Sequence, residues 1–363
     1  MTQRERQILE WIRENPMISQ QEIAQRAGIT RSSAGVHISN LMKKGCIAGK
    51  GYVVPTAPYV TVVGGVNMDI GGWPREPLVA QDSNPGRVRT SLGGVGRNIA
   101  HNMSLLGLDV RLLTALGDDV YAGKITESCA RLGIDISPSP VIPGGHTSTY
   151  LFINDHQGDM ALAVSDMDIC SHISPELLSR RRGLLDGSCL VVLDTNIPEE
   201  SIRWLCENCH APLFADPVST IKAEKLRPIL GKLHTLKPNR LEAELLSGVT
   251  IRDQESLEQA AVALLETGLQ RVFISLGGDG VYAAHRSGVR VQLPTLPGKM
   301  VNTTGCGDAF MAAIAWSFQQ ELDLETTARM GLAASALAME SAETINEELS
   351  ADAMQRRAGK EVQ

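Results

Sequence analysis

Asn302-Thr303-Thr304-Gly305-Cys306-Gly307-Asp308-Ala309-Phe310 is the stretch whose reading decides this chain. A polar turn with two glycines runs into a small-residue apolar helix, Ala309 to Phe318, with one carboxylate at the junction. The N–H groups of a helix's first turn have no partner within the helix, and the macrodipole there favours negative charge, so the turn is a ready anion site. Gly305 and Gly307 let the main chain come close to the anion. Asp308 would stand beside it, and a carboxylate poised against a bound phosphate points to phosphoryl transfer. Its place at a helix N-terminus predicts an ionised carboxylate at neutral pH.

Upstream of that turn, strands alternate with helices. Val60 to Val63 is a buried-strand run ending at Gly64-Gly65, and Asn98 to Leu106 reads as a helix. Val110 to Ala115, Cys189 to Asp194, Leu213 to Asp216, Val272 to Leu276 and Val281 to Ala284 read as further strands, with helical segments such as Ser256 to Thr267 between them. This pattern predicts an α/β fold with a doubly wound, mostly parallel sheet, whose ligands bind beyond the carboxyl ends of the strands. One hairpin stands apart: Thr147 to Asn154 and Asp159 to Ser165 alternate polar and apolar residues around Asp155-His156-Gln157-Gly158. It reads either as a small β lid over a site or as an ordinary edge hairpin.

The head of the chain differs. Over residues 1–55 eight Lys/Arg face four Glu, a balance of +4, so of the net charge of -7 the rest must carry -11. Only this head suits a polyanion such as DNA. Ile8, Leu9 and Ile12 share one helical face, Ser19 and Glu22 have capping-box form, and Gly28 breaks the helix they open. Thr30 then caps a helix from Ser32 to Lys44 that presents Arg31, Ser32, Ser33 and His37 near its start, and Cys46 to Val54 reads as a glycine-turn hairpin. The order resembles a winged helix-turn-helix, a module that either binds DNA or only docks. Pro55 and Pro58 mark the linker, so the expected domains are residues 1–55 and 56–363. Such modules usually meet two-fold DNA sites as pairs, which predicts a homodimer.

No apolar run approaches the ~18–20 residues that span a bilayer, and the charged, amphipathic start is not a signal peptide. Seven cysteines without regular spacing argue against a disulfide framework. The expected location is the cytoplasm, with no membrane partner. Cys206-Glu207-Asn208-Cys209-His210 has the C-x-x-C-H form of haem attachment, yet it reads as a helix end in an α/β core rather than a haem or zinc site.

Three more segments fit a phosphate chemistry. Ser91 to Asn98 is a glycine-dense turn opening a helix, and Asn98 offers both donor and acceptor to a hydroxyl. It is no dinucleotide fingerprint, because Ile99 takes the place of the third glycine. Lys237-Pro238-Asn239-Arg240-Leu241-Glu242 sets an amide and a carboxylate three residues apart, on one face if a helix begins there, suited to the water shell of Mg²⁺. Ser275-Leu276-Gly277-Gly278-Asp279-Gly280 ends a strand in a loop that reads either as a nucleotide contact or as a tight hairpin turn. The absence of G-x-x-x-x-G-K-[ST] excludes a Walker-type NTPase, and the protein-kinase H-R-D and D-F-G set is missing too.

Taken together, Gly93-Gly94 with Asn98, Asn239-x-x-Glu242, Ser275 to Gly280 and Thr304 to Asp308 resemble, in order, the signature set of the ribokinase-like (phosphofructokinase-B type) carbohydrate and nucleoside kinases. The likeness spans about residues 59–350. It implies ATP- and Mg²⁺-dependent phosphorylation of a sugar hydroxymethyl group, with Asp308 as catalytic base and Gly305, Cys306 and Gly307 as anion hole. It further implies Asn67, Asp69, Gly93, Gly94 and Asn98 at the sugar, Asn239, Ser275, Gly277 and Gly280 at ATP, and Glu242 at the metal. Asp82 to Gly86, Gly93 to Ala100 and Ser165 to Asp168 are similar to pseudouridine kinases and their relatives, which makes pseudouridine the leading substrate and a purine nucleoside or pentose the alternative. Asn302 stands where the family has an aspartate beside a monovalent cation, which puts K⁺ activation in doubt. A rival reading is a transcriptional regulator that senses a sugar or nucleoside through a kinase fold.

Overall fold

The computed structural model describes residues 1–15, 18–47 and 58–359. Among the described residues the head has three helices, α1 (Gln3–Glu14), α2 (Gln20–Ala27) and α3 (Arg31–Lys43). Reciprocal capping boxes, Thr2 with Glu5 and Ser19 with Glu22, start α1 and α2. Gly28 ends α2 at φ 63°, a left-handed conformation that costs glycine nothing, and the Thr30 side chain caps α3. Ile8, Ile12, Ile23, Ile38 and Leu41 close a core of their own. The hairpin expected at Cys46 to Val54 lies, apart from its first two residues, outside the described residues.

Among the described residues the body contains fourteen strands: β1 (Tyr59–Val63), β2 (Asn67–Pro74), β3 (Gly86–Gly93), β4 (Asp109–Leu113), β5 (Leu116–Gly117), β6 (Val141–Ile142), β7 (Thr149–Asn154) and β8 (Met160–Asp166), followed by β9 (Val191–Asp194), β10 (Leu213–Asp216), β11 (Thr235–Leu236), β12 (Arg271–Ser275), β13 (Val281–His285) and β14 (Arg290–Leu293). The main sheet has the order β14-β13-β12-β11-β10-β9-β1-β4, parallel from β12 to β4 and antiparallel at β12-β13-β14. Its central strands, β1 and β9 to β11, are buried on both faces. Along β1, Val60 and Val62 enter one core with Ile99, Met103 and Phe310, while Val63 enters the other with Leu193, Ile202 and Leu257. From β1 the chain first adds β4 on one side and later β9 on the other. This reversal opens a crevice at the carboxyl ends of β1 and β9, where doubly wound sheets bind ligands.

A second sheet, β3-β2-β7-β8, forms the lid. The predicted hairpin supplies β7 and β8, but the lid has twice the expected strands: the segments from Asn67 and up to Gly93, assigned to no element from sequence, pair as β2 and β3 over eight residues each. Gly331, in the helix Leu324–Met339, lies on the Phe310 ring, where a methyl group would not fit. All seven cysteines are free thiols; burial pushes those of Cys206 and Cys209 up to about 12 and about 11. Among the described residues no helix is long and apolar enough to cross a membrane.

Candidate active site

Three neighbouring strands end in charge. In register, Asp216 lies beside Asp194 and Leu236 beside Ala215, so Lys237, one residue on, stands next to Asp216. Lys237 Nζ and Asp216 Oδ2 are 3.1 Å apart, and the residues are only 6% and 5% exposed. Burial works against the Lys237 ammonium, but Asp216 and Glu242 more than offset it and hold its pKa above the ordinary value. Asp194 accepts the Gly65 and Asn196 N–H groups at 2.9 and 2.8 Å. Burial nevertheless raises its pKa to about 6.

Two helices bring their first turns to these strand ends, α4 (Val95–Leu105) and α6 (Cys306–Gln319), with α5 (Arg240–Ser247) between them in the chain. Gly305 opens α6 at φ 84°, and a side chain there would strike the Thr344 carbonyl. The helix ladder begins with Ala309 N–H donating to Gly305 O at 2.9 Å, while Cys306 N–H turns back on Thr303 O at a long 3.4 Å. Among the described residues the Gly307 and Asp308 N–H groups have no carbonyl partner, as first-turn amides of a helix have none within it. Beneath them, a Cβ added to Gly307 would come within 3.1 Å of Lys237 Nζ. The predicted anion site is therefore two first-turn amides with a buried ammonium under the same turn.

Asp308 lies deep in the crevice and keeps only part of its surface open to it. Its Oδ2 accepts a 2.9 Å hydrogen bond from Asn98 Nδ2, which joins the two first turns. Burial, with Asp216 acting in the same direction, pushes Asp308 up to about 7 against the pull of Asn98 and Lys237. The expectation of a fully ionised carboxylate fails for this reason. A helix N-terminus contributes at most ~2 kcal/mol, and the surrounding protein and second carboxylate outweigh it.

The sugar-side residues gather next to this pair. Asn67 lies opposite Gly93 and Asp69 opposite Ser91 in the β2–β3 register, and Asn67 Nδ2 donates to Asp69 Oδ1. A side chain on Gly93 would collide with the Asp69 carboxylate. Gly94, at φ 97°, caps α4 one turn before Asn98, so contacts run from Asn67 through the two glycines to Asp308. Burial raises the Asp69 pKa, against its bond from Asn67 and the charge of Arg97.

Asn239 and Glu242 do share a helix start, but they face each other. Asn239 Oδ1 accepts Glu242 N–H and Glu242 Oε2 accepts Asn239 N–H, each at 2.9 Å, in a capping box that opens α5. Among the described residues Asn239 Nδ2 and Glu242 Oε1 make no hydrogen bond. The Glu242 pKa is raised by burial despite the Asn239 bond. Ser275 donates its N–H to Pro238 O at 2.9 Å, which ties the end of β12 to the Asn239 turn. Gly277 and Gly280 belong to a hairpin turn between β12 and β13, closed by Leu276 N–H to Gly280 O at 2.8 Å. Space is open around Gly277, whereas Gly280 is pressed on Leu293. Asn302 accepts Thr304 N–H and donates to Ala342 O at 3.0 and 3.3 Å.

The sequence motifs alone give no role to Asp194, Asp216 or Lys237. A signal was present, since V-V-L-D, L-F-A-D and T-L-K are apolar strands that each end in a charge. The carboxyl end is where such a sheet binds its ligand.

Residues 57–351 match the pfkB family carbohydrate kinase profile, and residues 1–48 match the winged helix-turn-helix DNA-binding profile. An uncharacterized sugar kinase of Escherichia coli strain K12, YeiI, is 38% identical over 97% of this chain and 98% of its own length. The pseudouridine kinase of the same organism is 38% identical over 80% of this chain and 94% of its own. Arabidopsis thaliana ribokinase, solved in complex with ribose and ATP, has a TM-score of 0.73 at 20% identity, covering 84% of this chain and all of that one.

Proposed function

The chain belongs to the pfkB family of carbohydrate kinases, phosphotransferases with an alcohol acceptor, and on that premise we propose that it moves the terminal phosphoryl of ATP to the 5′-hydroxyl of a nucleoside, pseudouridine first. The observation that carries this reading is the Asp308–Asn98 contact beside two first-turn amides and the Lys237 ammonium. Ionised Asp308 orients the attacking hydroxyl and takes its proton. The Gly307 and Asp308 amides and Lys237 face the charge that builds on the transferring group. A loose transition state needs little early proton removal, so positioning and preorganised donors supply most of the rate. The 38% identity to a pseudouridine kinase supports that substrate over a purine nucleoside or pentose.

Mg²⁺ fits the residues present. Among those described, no three His, Cys, Asp or Glu side chains form a cage, and an ion that rests on phosphate oxygens and waters needs only one or two carboxylates. Glu242, through Oε1, would meet its water shell, and the ion would neutralise charge on the phosphates. Asn302 offers an amide where a K⁺ site would want a carboxylate, so we expect no dependence on K⁺.

The boundary falls at residues 55–56, and the head binds DNA as part of a homodimer, in the cytoplasm. The basic balance of residues 1–55 supports this, as does the exposure of Arg31 and Ser32 at the start of α3. A screen of ATP consumption across nucleosides and pentoses tests the reading. Pseudouridine should give ADP and a 5′-monophosphate at the highest kcat/KM; turnover on none would favour a sensor built on the kinase fold.

A further inference from the structure

The lid carries an aromatic face. In the β2–β7 register Tyr150 lies beside Asp69 and Phe152 beside Gly71, so with Trp73 they line the same side of the sheet as the Asp69 carboxylate. The Tyr150 and Phe152 ring centroids are 6.0 Å apart, and Trp73 meets Phe152 edge-on at 5.5 Å. Both the Trp73 and Phe152 rings close over Gly71, where a methyl group would strike them. All three aromatics are only half-buried, so they keep surface to offer. The opposite side of the lid bears aliphatics, Val88, Leu151, Leu162 and Val164, all exposed. Aromatic residues make up only 4% of this chain, so three in contact on one side of one small sheet is a local concentration.

Arg89 completes this face. It pairs with Gly71 across β2–β3, and its guanidinium stands 5.9 Å from the Trp73 ring centre. Among the described residues it has no hydrogen-bond or carboxylate partner. A guanidinium held beside an aromatic ring still has N–H donors to offer, and the carbonyl oxygens of a heterocycle can accept them.

We propose that Tyr150, Phe152 and Trp73 form the subsite for the acceptor's planar base, continuous with the ribose contacts at Asp69, and that Arg89 selects bases bearing carbonyl oxygens. This inference rests on the nucleoside reading above. A pentose would leave the subsite empty. A uracil-type ring attached to the sugar held at Asn67 and Asp69 would lie on it, and base–aromatic stacking of this kind changes affinity on the order of tenfold to a hundredfold.

The test is calorimetric titration of the full-length protein with pseudouridine, adenosine and D-ribose, scored as ratios so that any general loosening of the lid cancels. Wild-type protein should prefer pseudouridine to ribose. Phe152→Ala should cut that preference by roughly tenfold or more, Trp73→Phe should keep most of it, and Arg89→Ala should lower pseudouridine relative to adenosine. If the wild type prefers pseudouridine and Phe152→Ala leaves the preference intact, the subsite is refuted while the nucleoside assignment stands. A wild type without the preference overturns both.

Discussion

Removing the Asn98 amide should move the acid limb of the pH–rate profile without abolishing the enzyme. Asn98 Nδ2 donates to Asp308 at 2.9 Å, and it is the first group that holds the carboxyl down once burial and Asp216 have pushed it up to about 7. A hydrogen bond to a charged group contributes about 1.5–3 kcal/mol, which at 1.36 kcal/mol per pKa unit is about 1–2 units. Asn98→Ala should therefore shift the limb of kcat/KM from about pH 7 to about pH 8–9. At pH 7 the ionised fraction falls from one half to about one tenth or less, so activity drops about fivefold to fiftyfold and returns as the pH is raised. A lost sugar contact at Asn98 would lower the high-pH plateau but leave the limb in place, so the two effects separate in one experiment. A full kcat/KM profile from pH 5.5 to 10 decides it. A limb still near 7 in the variant would show that Asp308 is not the group being titrated, or that its bond to Asn98 carries no weight.

Asp308→Asn should lower kcat by at least ~10²-fold while thermal stability rises. A carboxyl raised from 3.8 to about 7 keeps its proton in the folded state over that interval. It therefore withdraws stability as pH increases through the window, by up to a few kcal/mol above pH 7. The gain in melting temperature should accordingly be larger at pH 8 than at pH 4. Lys237→Met should destabilise by about 3–5 kcal/mol, because it leaves Asp216 buried without its partner. Adding Asp216→Asn should restore the melting temperature but not kcat if the ammonium serves the transferring group. Full-length protein should bind duplex DNA with an affinity that falls as salt rises, and Arg31→Ala should weaken binding and flatten that dependence; a gel shift unaffected by either would leave the head a docking module.

The parts of the structure that local rules control were legible in the chain. Val60 to Val63 and Leu213 to Asp216 could only be buried strands, and the Thr304 to Asp308 turn announced its helix start through glycine and carboxylate. Ser19 with Glu22 gave the second helix of the head by capping alone. The lid was half hidden. β7 and β8 alternate polar and apolar residues, whereas β2 (NMDIGGWP) carries two glycines and a proline and β3 (GRVRTSLG) is largely exposed, so neither satisfies a strand pattern until each has the other for a partner.

What the chain could not reveal was the effect of residues distant in sequence on one another. Helix-terminus electrostatics, read from Gly307-Asp308-Ala309 alone, favours an ionised carboxylate. The opposite push comes first from burial and then from Asp216, ninety-two positions upstream, which reaches Asp308 because the parallel register lines up β9, β10 and β11 at the start of α6. The same register accounts for Lys237, since three carboxylates around one site would resist joint ionisation without a cation among them. Asp308 is thus poised by opposition: the helix start, Asn98 and Lys237 favour its charge, while burial and Asp216 oppose it. A balance near pH 7 is what a proton acceptor needs, basic enough to take a proton yet substantially deprotonated at the working pH. A site built from the helix terminus alone would leave the acid too weak a base to do more than align the hydroxyl.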